Sequence, residues 1–124
     1  MNQLDLDLIK AKEIFASLGE ITTRKMFGGG GIYCDGLIFA ISDEGKFYLK
    51  CDEINLSEFE SAGMGPFYYQ KESGVPVAMK YFEMPPSAYD NQIEAANWGK
   101  LGIEAQQRAQ LKALKKKPRA PKNR

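Results

Sequence analysis

Four consecutive glycines, Gly28 to Gly31, are the first feature of this 124-residue chain that could bear on chemistry. A glycine run lets backbone N–H groups come close to an anion. A phosphate loop, however, leads into a helix and carries Lys-Ser or Lys-Thr behind it. Here Ile32-Tyr33-Cys34 follows, which is strand-like. The run therefore reads as a bulge or sharp bend needing positive φ. Cys34 and Cys51 are the two cysteines, and they do not form a C-x-x-C pair. They read as reduced, small core residues, with a redox pair as the sharper alternative. Histidine is absent. That removes the commonest general base, the Ser-His and Cys-His nucleophile pairs and most zinc sites. Asp, Glu, Lys and Tyr can still carry catalysis, but no two of them have a spacing that demands it. The reading is a non-enzymatic protein with no catalytic residue, no metal and no cofactor.

Binding chemistry has better candidates. In Lys46-Phe47-Tyr48-Leu49-Lys50-Cys51, period two puts Lys46, Tyr48 and Lys50 on one strand face. Arg24, Lys25 and Lys80 could extend a basic patch, with Tyr33 or Tyr68 as stacking surfaces for a single strand. The plainer reading is the solvated face of an amphipathic sheet. Trp98 is a candidate interface anchor, set against ordinary packing of a helix onto a sheet.

Charge is unevenly placed. Arg108, Lys112, Lys115, Lys116, Lys117, Arg119, Lys122 and Arg124 are eight of the 17 basic residues, and no acid lies among them. The other nine face all 16 acids, so the body stands at −7 while the chain as a whole is +1. These eight cations are candidates for binding nucleic acid, an acidic protein or the acidic body itself. A solubilising end is the plainer alternative. No stretch approaches the roughly 18–20 apolar residues of a membrane helix. The acidic, mixed amino end lacks the pattern of a secretory signal, so the expected location is cytoplasmic and no membrane is involved.

These residues need elements to position them. Leu4, Leu8, Ala11, Phe15 and Leu18 predict an amphipathic helix over 4–18, stopped by Gly19. One strand is expected from about Ile21 to Cys34, interrupted by the glycines. Asp35-Gly36 marks a hairpin, Leu37–Ile41 a second strand, Asp43-Glu44-Gly45 a turn, and Lys46–Cys51 a third strand. Asn55 and Glu58 suggest a capping box for a short helix ending at Gly63. Phe67–Gln70 and Pro76–Glu83 are the fourth and fifth strands, with a turn at Glu72-Ser73-Gly74. A last helix begins near Ser87 or Asp90 and carries Ala95, Trp98, Leu101, Ala105 and Ala109. The expected fold is a two-layer α+β domain, α-β(3)-α-β(2)-α, with an antiparallel five-stranded sheet and helices on one face. The domain is expected to span 1–110, followed by a basic, disordered tail over 111–124.

Met26-Phe27-Gly28-Gly29-Gly30-Gly31-Ile32-Tyr33-Cys34-Asp35-Gly36, then Phe39-Ala40 and Tyr48-Leu49-Lys50-Cys51-Asp52, resembles the N-terminal domain of the TfoX/Sxy bacterial competence regulators. Phe59, Gly63, Pro66 to Tyr69, Met79, Tyr81, Pro85 and Trp98 continue the likeness over roughly residues 10 to 105. Met26, Phe27, Gly28, Gly29, Gly31, Tyr33, Asp35 and Gly36 are its structural motif positions here. Gly30 stands where many relatives have a bulkier residue, and longer members carry a second domain where this chain has its basic segment. The resemblance implies a fold similar to type III secretion chaperones. It also implies a bacterial, cytoplasmic, non-enzymatic protein linked to transcription regulation. A protein partner is expected, a homodimer is possible, and nucleic acid could be bound through the tail.

Overall fold

The computed structural model describes residues 1–26, 28–70 and 76–116. Helix α1 (Gln3–Ile14) opens with a capping box: the Asn2 side chain accepts from the Asp5 N–H at 2.9 Å, and the Asp5 carboxylate accepts from the Asn2 N–H. It buries Leu8, Ala11 and Ile14. The helix stops four residues short of the expected end, because Ala16–Leu18 tightens into a 3-10 turn. Asp7 is also buried. Its carboxylate accepts from the Gln3 amide (2.6 Å), the Ser42 hydroxyl (3.2 Å) and the Gly45 N–H (2.9 Å), which ties α1 to the sheet.

The sheet has six antiparallel strands, not five. They are β1 (Ile21–Met26), β2 (Gly29–Cys34), β3 (Leu37–Asp43), β4 (Lys46–Lys50), β5 (Pro66–Gln70) and β6 (Pro76–Glu83), in the order β1-β2-β3-β4-β6-β5. The expected single strand from Ile21 to Cys34 is folded back on itself. Met26 pairs with Gly29, and Gly28 between them has φ 79°, a left-handed conformation that suits glycine. The other glycines are needed for space. A Cβ on Gly29 would collide with the Ser42 carbonyl oxygen, and one on Gly30 would lie 2.5 Å from Leu8 of α1. Asp35-Gly36 and Glu44-Gly45 both have positive φ at both positions, as two-residue hairpins of type I′ require. The turn expected at Glu72-Ser73-Gly74 lies outside the described residues.

A short helix, α2 (Leu56–Ser61), carries the chain across to β5. Its expected capping box does not form. The Asn55 side chain accepts from the Asp52 N–H (2.8 Å) and donates to the carbonyls of Lys50 (3.2 Å) and Leu101 (3.0 Å), joining the end of β4 to the last helix. That helix, α3 (Gln92–Lys116), follows a 3-10 turn over Pro86–Asp90 and is capped by Asn91, whose side-chain oxygen accepts from the N–H groups of Ile93 and Glu94. Its 25 residues span about 37 Å. Leu111–Lys116, placed in the tail by the sequence, continue this helix. No helix among the described residues is long and apolar enough to cross a membrane.

All three helices lie on one face of the sheet. Phe47, Leu49 and Ala40 point into that layer and are buried. A bulge opposite Ile32 and Tyr33 leaves Phe39 without a strand partner, and its ring packs edge-on to Phe15 at 5.2 Å. Phe59 meets Phe82 at 5.7 Å and Trp98 at 5.1 Å. α3 comes down onto backbone at Gly102, where a Cβ would lie 2.7 Å from the Phe39 carbonyl oxygen. Glycine costs a helix about 1 kcal/mol relative to alanine, so close approach must outweigh that loss. Gly102→Ala is therefore expected to destabilise the chain despite its better helix propensity, by roughly 1–2 kcal/mol, the scale of an overpacked core. Urea denaturation would measure it, and a gain in stability would mean that α3 can lift from the sheet at little cost.

Candidate functional site

The register puts Arg24, Gly31, Ile41, Tyr48 and Glu83 in one row across the outer face of the sheet. Tyr33, Ile38, Lys50 and Tyr81 lie toward the next row. None of these side chains is under a helix, because α1 reaches Gly30 and Ser42, α2 reaches Phe82 and α3 reaches Leu49, all on the inner face. The outer face mixes aromatic and aliphatic side chains with the charges of Arg24, Lys46, Lys50 and Glu83. Tyr48 meets Phe67 at 4.9 Å, the Arg24 guanidinium sits 5.6 Å from the Tyr33 ring centre, and Lys50 Nζ sits 5.3 Å from that of Tyr81. Contacts of this kind hold cations over rings and leave them half desolvated. Lys46 pairs with Glu83 at 3.6 Å.

Burial shapes the titration of this face. It raises the Tyr48 hydroxyl above the usual tyrosine value, helped by the nearby charges of Glu83, Asp43 and Glu44. Tyr81 is raised by burial and then by Tyr33. Lys50 is lowered by burial and by the neighbouring charge of Lys80, against the opposing pull of Asp52. At neutral pH the tyrosines are therefore neutral hydrogen-bonding groups on this face.

Lys46, Tyr48 and Lys50 thus share one face, as the period-two pattern predicts. Trp98 does not join them. It lies on α3 behind the sheet, packed on Phe59. Arg108 is not a free cation: its Nε and Nη2 donate to the two Asp52 carboxylate oxygens at 2.7 and 2.9 Å. Lys112 and Lys115 are exposed on α3, and Lys116 is its last residue. Lys117, Arg119, Lys122 and Arg124 lie outside the described residues. Of the motif positions, Met26 closes β1, Gly28 turns the chain, and Gly29, Gly31 and Tyr33 belong to β2. Asp35 lies in the β2–β3 turn, where its carboxylate accepts from the Glu20 N–H at 2.9 Å, and Gly36 completes that turn. Phe27 lies outside the described residues.

The sequence did not single out Tyr81, Phe67 or Ile41 for this face. Alternation along β6 was visible, but which strand lies beside β4 was not. Asp52 was missed as the partner of Arg108, since nothing local links positions 56 residues apart. Both thiols are buried and free. Burial, then Asp35, raises Cys34, and burial, Asp52 and Glu60 push Cys51 up to about 11. Both are therefore protonated at neutral pH, the unreactive form.

Asp52 is held below the usual carboxylate range, first by the hydrogen bond from Arg108. Its contribution to stability is then present above the unfolded value of about 3.9 and is lost as pH falls through the lower folded value. Arg108→Gln is expected to cost about 0.5–1 kcal/mol at pH 7, given the partial exposure of the pair, and nothing once the pH is below that folded value. Denaturant midpoints of both proteins across the acid range would check this; a deficit that persists undiminished in acid would assign it to packing.

Residues 13–106 match the family described as the TfoX N-terminal domain. Protein Sxy of Escherichia coli (strain K12) is 26% identical over 98 residues, which cover 79% of this chain and 46% of that protein. The chain thus spans about half the length of the curated relative it matches.

Proposed function

The chain belongs to the TfoX N-terminal domain family, and from that premise we propose that it is a non-enzymatic, cytoplasmic regulatory module that binds a protein partner through the open face of its sheet. The observation that carries this reading is the face itself. Tyr33, Ile38, Ile41, Tyr48, Phe67 and Tyr81 lie on the side away from all three helices. These six side chains are half-buried against one another with no helix over them; an apolar surface left uncovered is a candidate interaction site, and tyrosines with a nearby arginine are the residues that dominate such contacts. Its role is like that of the competence regulators the sequence resembles, in the control of transcription. Four of the buried or partly buried ionisable groups are committed to structure: Asp52 to Arg108, Asp7 to Ser42 and Gly45, and both thiols to the core. That supports recognition over catalysis.

A second reading, nucleic-acid binding, is favoured by the placement of Arg24 and Lys50 over tyrosine rings and by the exposed Lys112 and Lys115. The body charge of −7 opposes it, since phosphate binding rests on net cation contacts. One set of measurements separates the two. Affinity capture from bacterial lysate with the wild type should retain a protein that Tyr48→Ala with Lys50→Glu retains at least about tenfold less, the scale of one lost hot spot. Both chains should unfold at similar temperatures. Undiminished capture by the double variant would remove the sheet face from the contact. Binding of a labelled oligonucleotide that falls steeply with salt and vanishes when residues 117–124 are deleted would assign the function to the basic end instead.

A further inference from the structure

β1 lies at one end of the sheet and pairs on one side only, with β2. In an antiparallel ladder alternate residues turn their N–H and C=O groups toward the neighbouring strand, and those between turn them away. The Asp35 N–H donates to the Glu20 carbonyl at 2.8 Å, which fixes the phase of this ladder. Thr22 and Arg24 therefore face β2 with their backbone groups. Ile21, Thr23 and Lys25 present theirs to the free edge. Among the described residues no other element hydrogen-bonds to those groups. Such a row is a template for a further strand.

The side chains along this edge complement themselves. Glu20, Thr22 and Arg24 alternate onto the outer face, and all three are exposed. Neither Glu20 nor Arg24 has an opposite charge within 4 Å among the described residues, whereas Lys25 is paired with Asp5 at 3.1 Å. On the inner side Thr23 borders a cleft of about 320 Å³ between α1 and β1, with Leu8 and Ile9 in its wall. Ile9 is 46% exposed, and Ile21 is half-buried. One short edge thus carries an unpaired acid, an unpaired base four residues on, and an isoleucine two residues from an apolar cleft.

We propose that a second copy of this chain pairs with the edge, β1 against β1, antiparallel about a twofold axis at Thr22. Ile21 of each copy then exchanges backbone hydrogen bonds with Thr23 of the other, as the phase of the edge allows. Glu20 stands opposite Arg24 of the other copy, twice, and Thr22 opposite its own counterpart. These are the non-hydrogen-bonded positions, where side chains come closest, and opposite charges and paired threonines both favour them. On the inner side Ile21 of each copy covers Thr23 of the other at the mouth of the cleft. A shift of two residues keeps the backbone phase but puts Glu20 against Met26 and Ile21 against Lys25, so charge selects the register. The contact is isologous and closes at two. It joins two six-stranded sheets into one and sets the two open faces side by side. The contact runs along a strand edge, so its failure leaves the open-face reading untouched.

Sedimentation equilibrium of the full chain, from low to high micromolar, tests this. The apparent mass should rise with concentration from 13.9 kDa toward twice that value. Thr23→Pro removes an N–H that points away from β2, a place where an edge strand tolerates proline. It should raise the dissociation constant at least about tenfold, the scale of two backbone hydrogen bonds lost across the axis. Charge reversal keeps the test independent of that variant's folding. Glu20→Arg alone and Arg24→Glu alone should each weaken the dimer at least about threefold. The two together should restore it, which a purely structural effect would not do. A chain that stays monomeric at every concentration overturns the proposal. So does a dimer indifferent to Thr23→Pro, and so does a double charge variant that dimerises no better than the single ones.

Discussion

The contact on which the rest of this molecule depends is the descent of α3 onto the backbone of β3 and β4. At Gly102 a side chain of any size would meet the Phe39 carbonyl oxygen and the Lys50 N–H. At Gly99 it would meet Leu18 and Phe15. Together with Ala95 and Ala105, both fully buried, these positions make one stripe of small residues along the helix. The stripe brings the helix axis close enough for Phe15, Phe39 and Phe47 to fill the space beside it instead of beneath it. Because α3 covers β3 and β4 so closely, α1 and α2 find room on the same side, over β1–β3 and beside β6. The one-sided layer, and hence the open outer face, follows from that approach.

A polar hub fixes where α3 sits along the sheet. Asn55 is almost fully buried and satisfies the Asp52 N–H and the carbonyls of Lys50 and Leu101. Asp52 in turn accepts from the N–H groups of Ile54 and Asn55 and from the Arg108 guanidinium. A buried polar group costs free energy unless it is paired, so the hub holds the end of β4, the start of α2 and two turns of α3 in one register. It also changes the electrostatic picture drawn from composition. Arg108 looked like the first cation of a basic tail, but its charge is used inside the domain. The effective basic segment starts at Lys112, on a helix that still has direction and a defined face.

Much of this was legible in the sequence. Asp35-Gly36 marked a hairpin and Asp43-Glu44-Gly45 a turn, and the alternation of Phe47, Leu49 and Cys51 against Lys46, Tyr48 and Lys50 placed the faces of β4 correctly. What failed did so for physical reasons. Four glycines between strand-like segments are compatible with a bulge or with a reversal, and only the pairing of Met26 with Gly29 decides between them. Asn55 three residues before Glu58 satisfies the local rule for a capping box, yet its side-chain oxygen accepts from the Asp52 N–H instead of a helix N–H, while its amide nitrogen is held by the carbonyls of Lys50 and Leu101. Trp98 has the composition of an interface anchor, and its neighbour Phe59 lies 39 positions earlier, where no local pattern reveals it. The open face was readable only by halves, because β6 reaches β4 through a crossover and Tyr81 comes to lie beside Lys50 by topology alone.

The glycine run joins the two sides of the sheet in one constraint. Gly30 points inward, where Leu8 of α1 occupies the place a side chain would take. A bulkier residue there would need a different α1 contact. Gly31 points outward, where a Cβ would press on Met26, Tyr33 and Ile38. Its absence lets those side chains lean together, and Tyr33 comes under the Arg24 guanidinium as a result. Successive residues of one strand therefore set the seat of a helix and the shape of the open outer face. A change at either glycine cannot be confined to its own side, because β2 has α1 against one face and the tyrosine surface on the other, with a single backbone between them.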